Sequence, residues 1–237
     1  MTTENAKRTA AIPWRALVGF AIYVLLNPAL LFISAGTFRW TMAWVYTGIV
    51  IVLTVASRLA LFRWNPDLAG ERAAYRTAEG VKSWDRILSP LVGIYGNLAL
   101  LIAAGLNKRF GWLPEIPLQI SWIALVLALF GFAIGTWALI ENRFFSAVVR
   151  IQTDRGHTVC SSGPYQFVRH PGYLGSVIFS LATPFILGTF WALIPAIIMV
   201  VIIMIRTALE DKTLKAELDG YRAYAEQTRH RLFPGLW

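Results

Sequence analysis

One cysteine, Cys160, stands in 237 residues. That excludes an internal disulfide and a cysteine-rich metal site. Cys160 itself reads as a small, half-buried side chain, with a catalytic thiol as the alternative. Histidine is nearly as scarce: His157, His170 and His230 form no His-x-x-x-His pair, and no Glu-x-x-His helix motif accompanies them, so the sequence gives no support to a metal site. Charge is sparse as well. Charged residues make up 15% of the chain, where a soluble domain carries about 25%. No low-complexity tract and no internal repeat is visible. The first apolar run is too long for a signal-peptide core and no small-residue cleavage site follows it, so it is expected to remain as a transmembrane helix.

What is present is hydrocarbon. The chain is 57% hydrophobic, and apolar runs recur at the length of roughly 20 residues that a helix needs to cross a bilayer. They cover Trp14–Ser34, Thr41–Phe62, Ile87–Leu106, Leu118–Ile140 and a last block, Leu174–Ile205. The expected fold is all-α: a polytopic transmembrane bundle of about six spans, the last two a short hairpin turning near Pro184 to Thr189. Residues 1–237 make one domain, with four spans in 1–140 and the polar, chemistry-bearing region in 141–237.

The net charge of +9 does not point to nucleic acid, because its distribution follows topology. Lys and Arg number three up to Arg15 at the start of the first span, six in Arg58–Arg86, four in Arg143–Arg169 and six from Arg206 onward, while the opposite side carries only Arg39, Lys108 and Arg109. Nineteen against three fits six spans with both termini cytoplasmic. The basic side then meets anionic lipid headgroups, and membrane lipids are the expected surroundings.

Along the chain, residues 1–12 are polar and expected to be mobile, and Gly36-Thr37 supplies a tight turn. In the loop Asn65–Trp84, the residues Asp67, Glu71, Arg72, Tyr75 and Arg76 fall at helical spacing. A short interfacial helix and a solvated connector are both consistent with that. Gly131-x-x-x-Gly135 suits close helix packing. Trp40, Trp44, Trp112, Trp122 and Trp191 sit near span ends, as interfacial anchors do. Residues 206–228 have the pattern of one amphipathic helix leaving the membrane, and Pro234 forbids helix beyond it.

Two polar clusters flank the last apolar block. In the first, Gly163-Pro164-Tyr165-Gln166-Phe167-Val168-Arg169-His170-Pro171-Gly172-Tyr173, the prolines and glycines impose a stiff, non-helical approach to the next helix and expose backbone polar groups. Such backbone at membrane depth is tolerated where it lines a cavity. The second cluster holds Arg206 and Glu210 on one helical face, open to being a structural ion pair, with Asp211 lacking an obvious partner in the same turn. Paired carboxylates there suit a cationic ligand, a proton relay or a metal. The spans around them carry no acids for a relay, so a cation with polar handles fits best.

Gly163-Pro164-Tyr165 through Val168-Arg169-His170-Pro171-x-Tyr173, then Arg206-x-x-x-Glu210-Asp211, Tyr221-x-x-Tyr224 and Arg231-Leu232-Phe233-Pro234, resemble the isoprenylcysteine carboxyl methyltransferase family, itself similar to phospholipid methyltransferases. Asn65–Arg72, Lys82–Asp85 and Asn142–Ser146 also look like its bacterial members. The resemblance implies an integral membrane enzyme, in a bacterial inner membrane, that uses S-adenosylmethionine. It implies cofactor contacts at His157, Val159, Gly163, Tyr165, His170, Pro171, Tyr173, Glu210 and Asp211, and it casts Arg169, Arg206 and Glu210 as catalytic. The two arginines would place the acceptor or the cofactor carboxylate. The Gly-rich strand-to-helix turn of soluble methyltransferases is absent, in keeping with this family.

A lipophilic acceptor whose carboxylate is already ionised needs no general base, and positioning in a dry site supplies most of the rate. An amine acceptor would need a base such as Glu210 or His170. The leading expectation is carboxyl O-methylation. Its rivals are phospholipid amine N-methylation, S-methylation of a small thiol, and a non-enzymatic transporter or lipid-binding scaffold. No nucleic-acid or metal partner is expected.

Overall fold

The computed structural model describes residues 14–75, 77–112, 114 and 116–237, without the side chains of 15–17. The expectation for residues 1–12, and that for Arg76, lie outside the described residues. The fold is an all-α membrane bundle. Helices α1 (Trp14–Ala35), α2 (Thr41–Trp64), α6 (Leu118–Glu141) and α8 (Leu193–Glu217) are each long and apolar enough to cross a bilayer. So is the composite Asp85–Phe110, made of α4 (Asp85–Pro90), a π-turn (Leu91–Tyr95) and α5 (Gly96–Phe110). The π-turn follows Pro90, which has no amide hydrogen to continue the helical ladder. A sixth apolar helix, α7 (Pro171–Ile186), is shorter. Only 17–28% of each span is buried inside the bundle. The rest, including Ile33, Val52, Val126 and Ile197, has no cover but lipid, so this is an integral membrane protein.

The shared core draws on five spans: Leu31, Ala43, Leu100, Ala104, Ala128 and Ala196. Small residues bring α6 and α7 into backbone contact. A Cβ on Gly175 would lie 2.4 Å from the Gly131 carbonyl oxygen and 2.8 Å from the Gly135 nitrogen. The Gly131-x-x-x-Gly135 pattern is thus a packing device. Gly175→Val is expected to force the pair apart and cost about 3 kcal/mol, the upper part of the usual overpacking range. Gly135→Ala, whose Cβ meets open space, should be tolerated. Thermal unfolding in detergent measures both, and equal melting temperatures would remove the close-contact argument.

Three local expectations change. The hairpin turn comes after Pro184, at residues 187–192, and its second arm is the 25-residue α8. Pro184 stays inside α7. Residues 206–228 do not form a separate helix. α8 continues unbroken through Arg206 to Glu217, since its one proline, Pro195, sits in its first turn. The chain then turns at residues 218–220 into α9 (Tyr221–Gln227). Trp40, expected at an interface, is buried in the core, whereas Trp44, Trp112, Trp122 and Trp191 are exposed.

The interfacial helix of the first long loop is present as α3 (Pro66–Ala73). Asn65 caps it by accepting the Leu68 N–H, and Pro66 fits its first turn. Leu68 and Ala69 pack with Leu61, Leu139 and Phe145, fixing α3 beneath the ends of α2 and α6.

Candidate active site

The segments 65–84, 142–170 and 206–237 meet at one end of the bundle. Buried and half-buried ion pairs tie them together, several of them spanning elements far apart in sequence. Arg206 grips Asp85 with a two-pronged fork, Nε to Oδ1 at 2.6 Å and Nη2 to Oδ2 at 3.0 Å. Asp85, fully buried, also accepts the Val149 N–H. Arg150 forks onto Glu71 and also reaches Asp154. Such geometry matches the planar guanidinium to a carboxylate in a way Lys cannot.

Asp211 is the hub of the C-terminal tail. Its Oδ1 accepts from Arg169 Nε at 2.7 Å and Tyr221 OH at 3.1 Å, with His170 Nε2 at 3.6 Å. Its Oδ2 faces Arg169 Nη2, Arg231 Nε and Lys215 Nζ. Arg169 Nη1 meanwhile donates to the carbonyls of Thr228 and Arg229. The Arg169 and His170 amides donate to the His230 and Arg231 carbonyls, sewing the loop to the tail.

Between these clamps lies a cavity of about 1680 Å³. It runs from His157, Val159, Tyr165, Tyr221 and Tyr224, past Glu210, Tyr173 and Arg206, to Phe20 and Tyr23 of α1, Arg58 and Phe62 of α2, and the π-turn. Polar and aromatic side chains line one part of it, and residues of the membrane helices α1 and α2 line another. Glu210, half-buried, accepts the Tyr173 hydroxyl at 2.5 Å and makes no ion pair among the described residues. It is a carboxylate with capacity for a cationic group. The Tyr173 ring carries the Arg206 guanidinium at 5.3 Å on one side and stacks on His170 at 5.8 Å.

In the polar part, burial and then the charges of Arg155 and Arg150 push the His157 imidazole down to about 4. Its Nδ1 accepts the Gln152 amide, a role a protonated ring could not fill. The neutral ring packs against Phe144 at 4.5 Å. Burial pushes the Tyr165, Tyr221 and Tyr224 phenols up, so they remain neutral hydrogen-bonding groups. Tyr224 OH donates to the Tyr165 carbonyl at 2.7 Å, and Tyr165 OH to that of Ala138.

Of the residues expected to hold a cofactor, His157, Val159, Tyr165, His170, Tyr173 and Glu210 line the cavity. Gly163, Pro171 and Asp211 do not. Gly163 has φ +55° and no room for a Cβ beside the Glu141 carboxylate, so it shapes the turn. Pro171 opens α7. Asp211 is taken up by the tail, and the idea that it lacks a partner in its own turn is corrected by Lys215, four residues on.

Of the three expected catalytic groups, Arg169 and Arg206 line the cavity but are committed to Asp211 and Asp85, and Arg206 does not pair with Glu210. Sequence reasoning does not single out Asp85, Phe145 and Arg72 as site residues, although they lie in the segments Lys82–Asp85, Asn142–Ser146 and Asn65–Arg72 that share the family resemblance. No group of three or more His, Cys, Asp or Glu side chains arranged to hold a metal occurs among the described residues.

Comparison with known proteins agrees with this architecture. Residues 122–216 match the model of the isoprenylcysteine carboxyl methyltransferase (ICMT) family. Probable protein-S-isoprenylcysteine O-methyltransferases of Oryza sativa, subspecies indica and japonica, are each 34% identical over 65 residues, 27% of this chain and 34% of theirs. The protein-S-isoprenylcysteine O-methyltransferase of Xenopus laevis is 33% identical over 78 residues, 31% of this chain and 27% of its own. The chain thus spans about a third or less of the length of these relatives. Residues 122–216 are thus similar to the isoprenylcysteine carboxyl methyltransferase family.

Proposed function

We propose that the protein transfers the methyl group of S-adenosylmethionine to the carboxylate of a lipophilic acceptor drawn from the membrane. The observation that carries this reading is the single cavity joining a polar, aromatic part with an uncommitted Glu210 to a part lined by the membrane helices α1 and α2. The polar part fits the cofactor chemically. Glu210 suits its cationic portion, while neutral His157, Val159 and Tyr165 suit its adenosine. Residues 141–237 supply each of these groups. The basic end is assigned to the cytoplasmic side of a bacterial inner membrane, with both termini there.

When bound, S-adenosylmethionine supplies a methyl group on a cationic sulfur, which an anionic oxygen displaces in line to leave a neutral thioether. The protein needs no proton acceptor for this, since a carboxylate is already ionised near neutral pH. Tyr173 is held by Glu210, and Arg206 by Asp85, so both stand as rigid walls. Rigid walls and excluded water favour a step in which opposite charges cancel.

The test is incubation of the protein in lipid nanodiscs with methyl-labelled S-adenosylmethionine, an N-acetyl-S-prenylcysteine and membrane lipid extract. Base-labile label on the prenylcysteine is expected, as an ester requires. Base-stable label in the lipid amine fraction would replace carboxyl methylation by N-methylation. Failure to bind the cofactor at all would end the enzymatic reading.

A further inference from the structure

The cavity is lined by six guanidinium groups, and four are accounted for. Arg150, Arg169 and Arg206 are forked onto Glu71, Asp211 and Asp85, and Arg86 is exposed to water. Arg58, on α2, sits over the Phe20 ring at 5.4 Å. Arg72, on α3, is different. Its Nη1 donates to the Phe145 carbonyl at 2.9 Å and its guanidinium lies over the Phe145 ring at 5.5 Å, which fixes the fork. Yet its Nε is buried and finds no hydrogen-bond acceptor among the described residues. The neighbouring acid does not serve it, because Glu71 is turned to Arg150. Burial, and then the charges of Arg58 and Arg206, push the Arg72 guanidinium down to about 9. This cation therefore sits against other cations in a partly dry place, an arrangement that an anion would relieve.

We propose that Arg72 holds the acceptor's carboxylate, through the part of its guanidinium that borders the cavity, and so selects an anionic acceptor over a neutral or amine one. The inference rests on the reading of the cavity as a methyl-transfer site and adds the group that recognises the acceptor. Arg72 belongs to α3, outside the stretch that matches the family. Arg206 connects the two subsites. Its charge is felt at Arg72, and its guanidinium lies over Tyr173, whose hydroxyl meets Glu210. An acceptor arriving from lipid enters a cavity that Arg58, Arg72 and Glu210 all line.

The experiment compares dissociation constants of an N-acetyl-S-prenylcysteine and its carboxamide for the protein in nanodiscs saturated with S-adenosylhomocysteine. Wild type should prefer the carboxylate by about tenfold to a hundredfold, as a charged hydrogen bond predicts. In Arg72→Gln the preference should vanish while carboxamide and S-adenosylmethionine affinities hold. Arg72→Lys, which keeps charge without the fork, should be intermediate and serves if the first variant fails to fold. An unchanged preference in either variant overturns the proposal, as does equal weakening of both ligands, the mark of a purely structural role. If wild type methylates the prenylcysteine while the preference survives in Arg72→Gln, only this inference fails. If wild type transfers no methyl group but loses its preference on substitution, Arg72 stands as a carboxylate site and the proposed reaction fails.

Discussion

Asp211→Ala is expected to release the C-terminal tail and to cost about 3–5 kcal/mol of stability, the usual penalty for removing one partner of a buried ion pair. The carboxylate is 1% exposed, and it holds Arg169, itself 4% exposed, together with Arg231 and Lys215. Without it, Arg169 keeps only the Thr228 and Arg229 carbonyls. A guanidinium left in that position is charged, buried and half-satisfied. Tyr221 loses its acceptor at the same time. A melting temperature lower by about 10 °C and faster proteolysis after residue 217 are the readouts. Asp211→Asn should fall between wild type and Asp211→Ala, since an amide keeps one acceptor. Wild-type melting and an intact tail in Asp211→Ala would falsify the clamp.

Glu210→Gln should do the reverse, leaving the melting temperature alone and weakening S-adenosylmethionine binding by about tenfold to a hundredfold, the worth of a charge-assisted hydrogen bond. Gln keeps an oxygen for the Tyr173 hydroxyl, so local packing is preserved and the charge is what changes. Calorimetric titration of both proteins in the same detergent decides it. Affinity within about twofold of wild type would be too small for a lost ionic contact and would take Glu210 out of the cofactor site. The contrast matters because two adjacent carboxylates on one helix turn away from each other. One faces the cavity and one faces the tail, as successive residues about 100° apart on a helix must.

That contrast also marks where the sequence is legible. Spans could be read directly because lipid demands uninterrupted apolar helix, and the convergence of 163–173 with 206–211 follows from folding one hydrophobic block on itself. Partner choice could not. The spacing of Arg206 and Glu210 offers a local pair, yet Arg206 takes Asp85, 121 positions away. Nothing in the local pattern distinguishes a distant carboxylate from a near one when both are within reach of a long side chain. Arg72 stands in the sequence as one member of a charged, helically spaced stretch and as the end of the Asn65–Arg72 segment, and neither tells it apart from a solvated arginine. Its burial depends on Phe145, which comes from a segment 73 positions later. Likewise Asp211 seemed unpartnered because most of its partners, Arg169, Tyr221 and Arg231, lie outside its own helical turn.

The shortness of α7 has a consequence for where the chemistry sits. At 16 residues it is about 24 Å long, against about 30 Å of bilayer hydrocarbon. Its neighbours α6 and α8, at 24 and 25 residues, exceed that thickness. α7 therefore falls short of at least one hydrocarbon boundary, and His170 and Tyr173 stand at its Pro171 end, beside the longer α6 and α8. In the proposed reaction, a water-soluble cofactor would reach that end of α7 from the polar side, and a lipophilic acceptor would reach it from the hydrocarbon. Membrane thickness then becomes a variable of the proposed reaction: a thicker bilayer sinks that end of α7 more deeply, and a thinner one lifts it towards water.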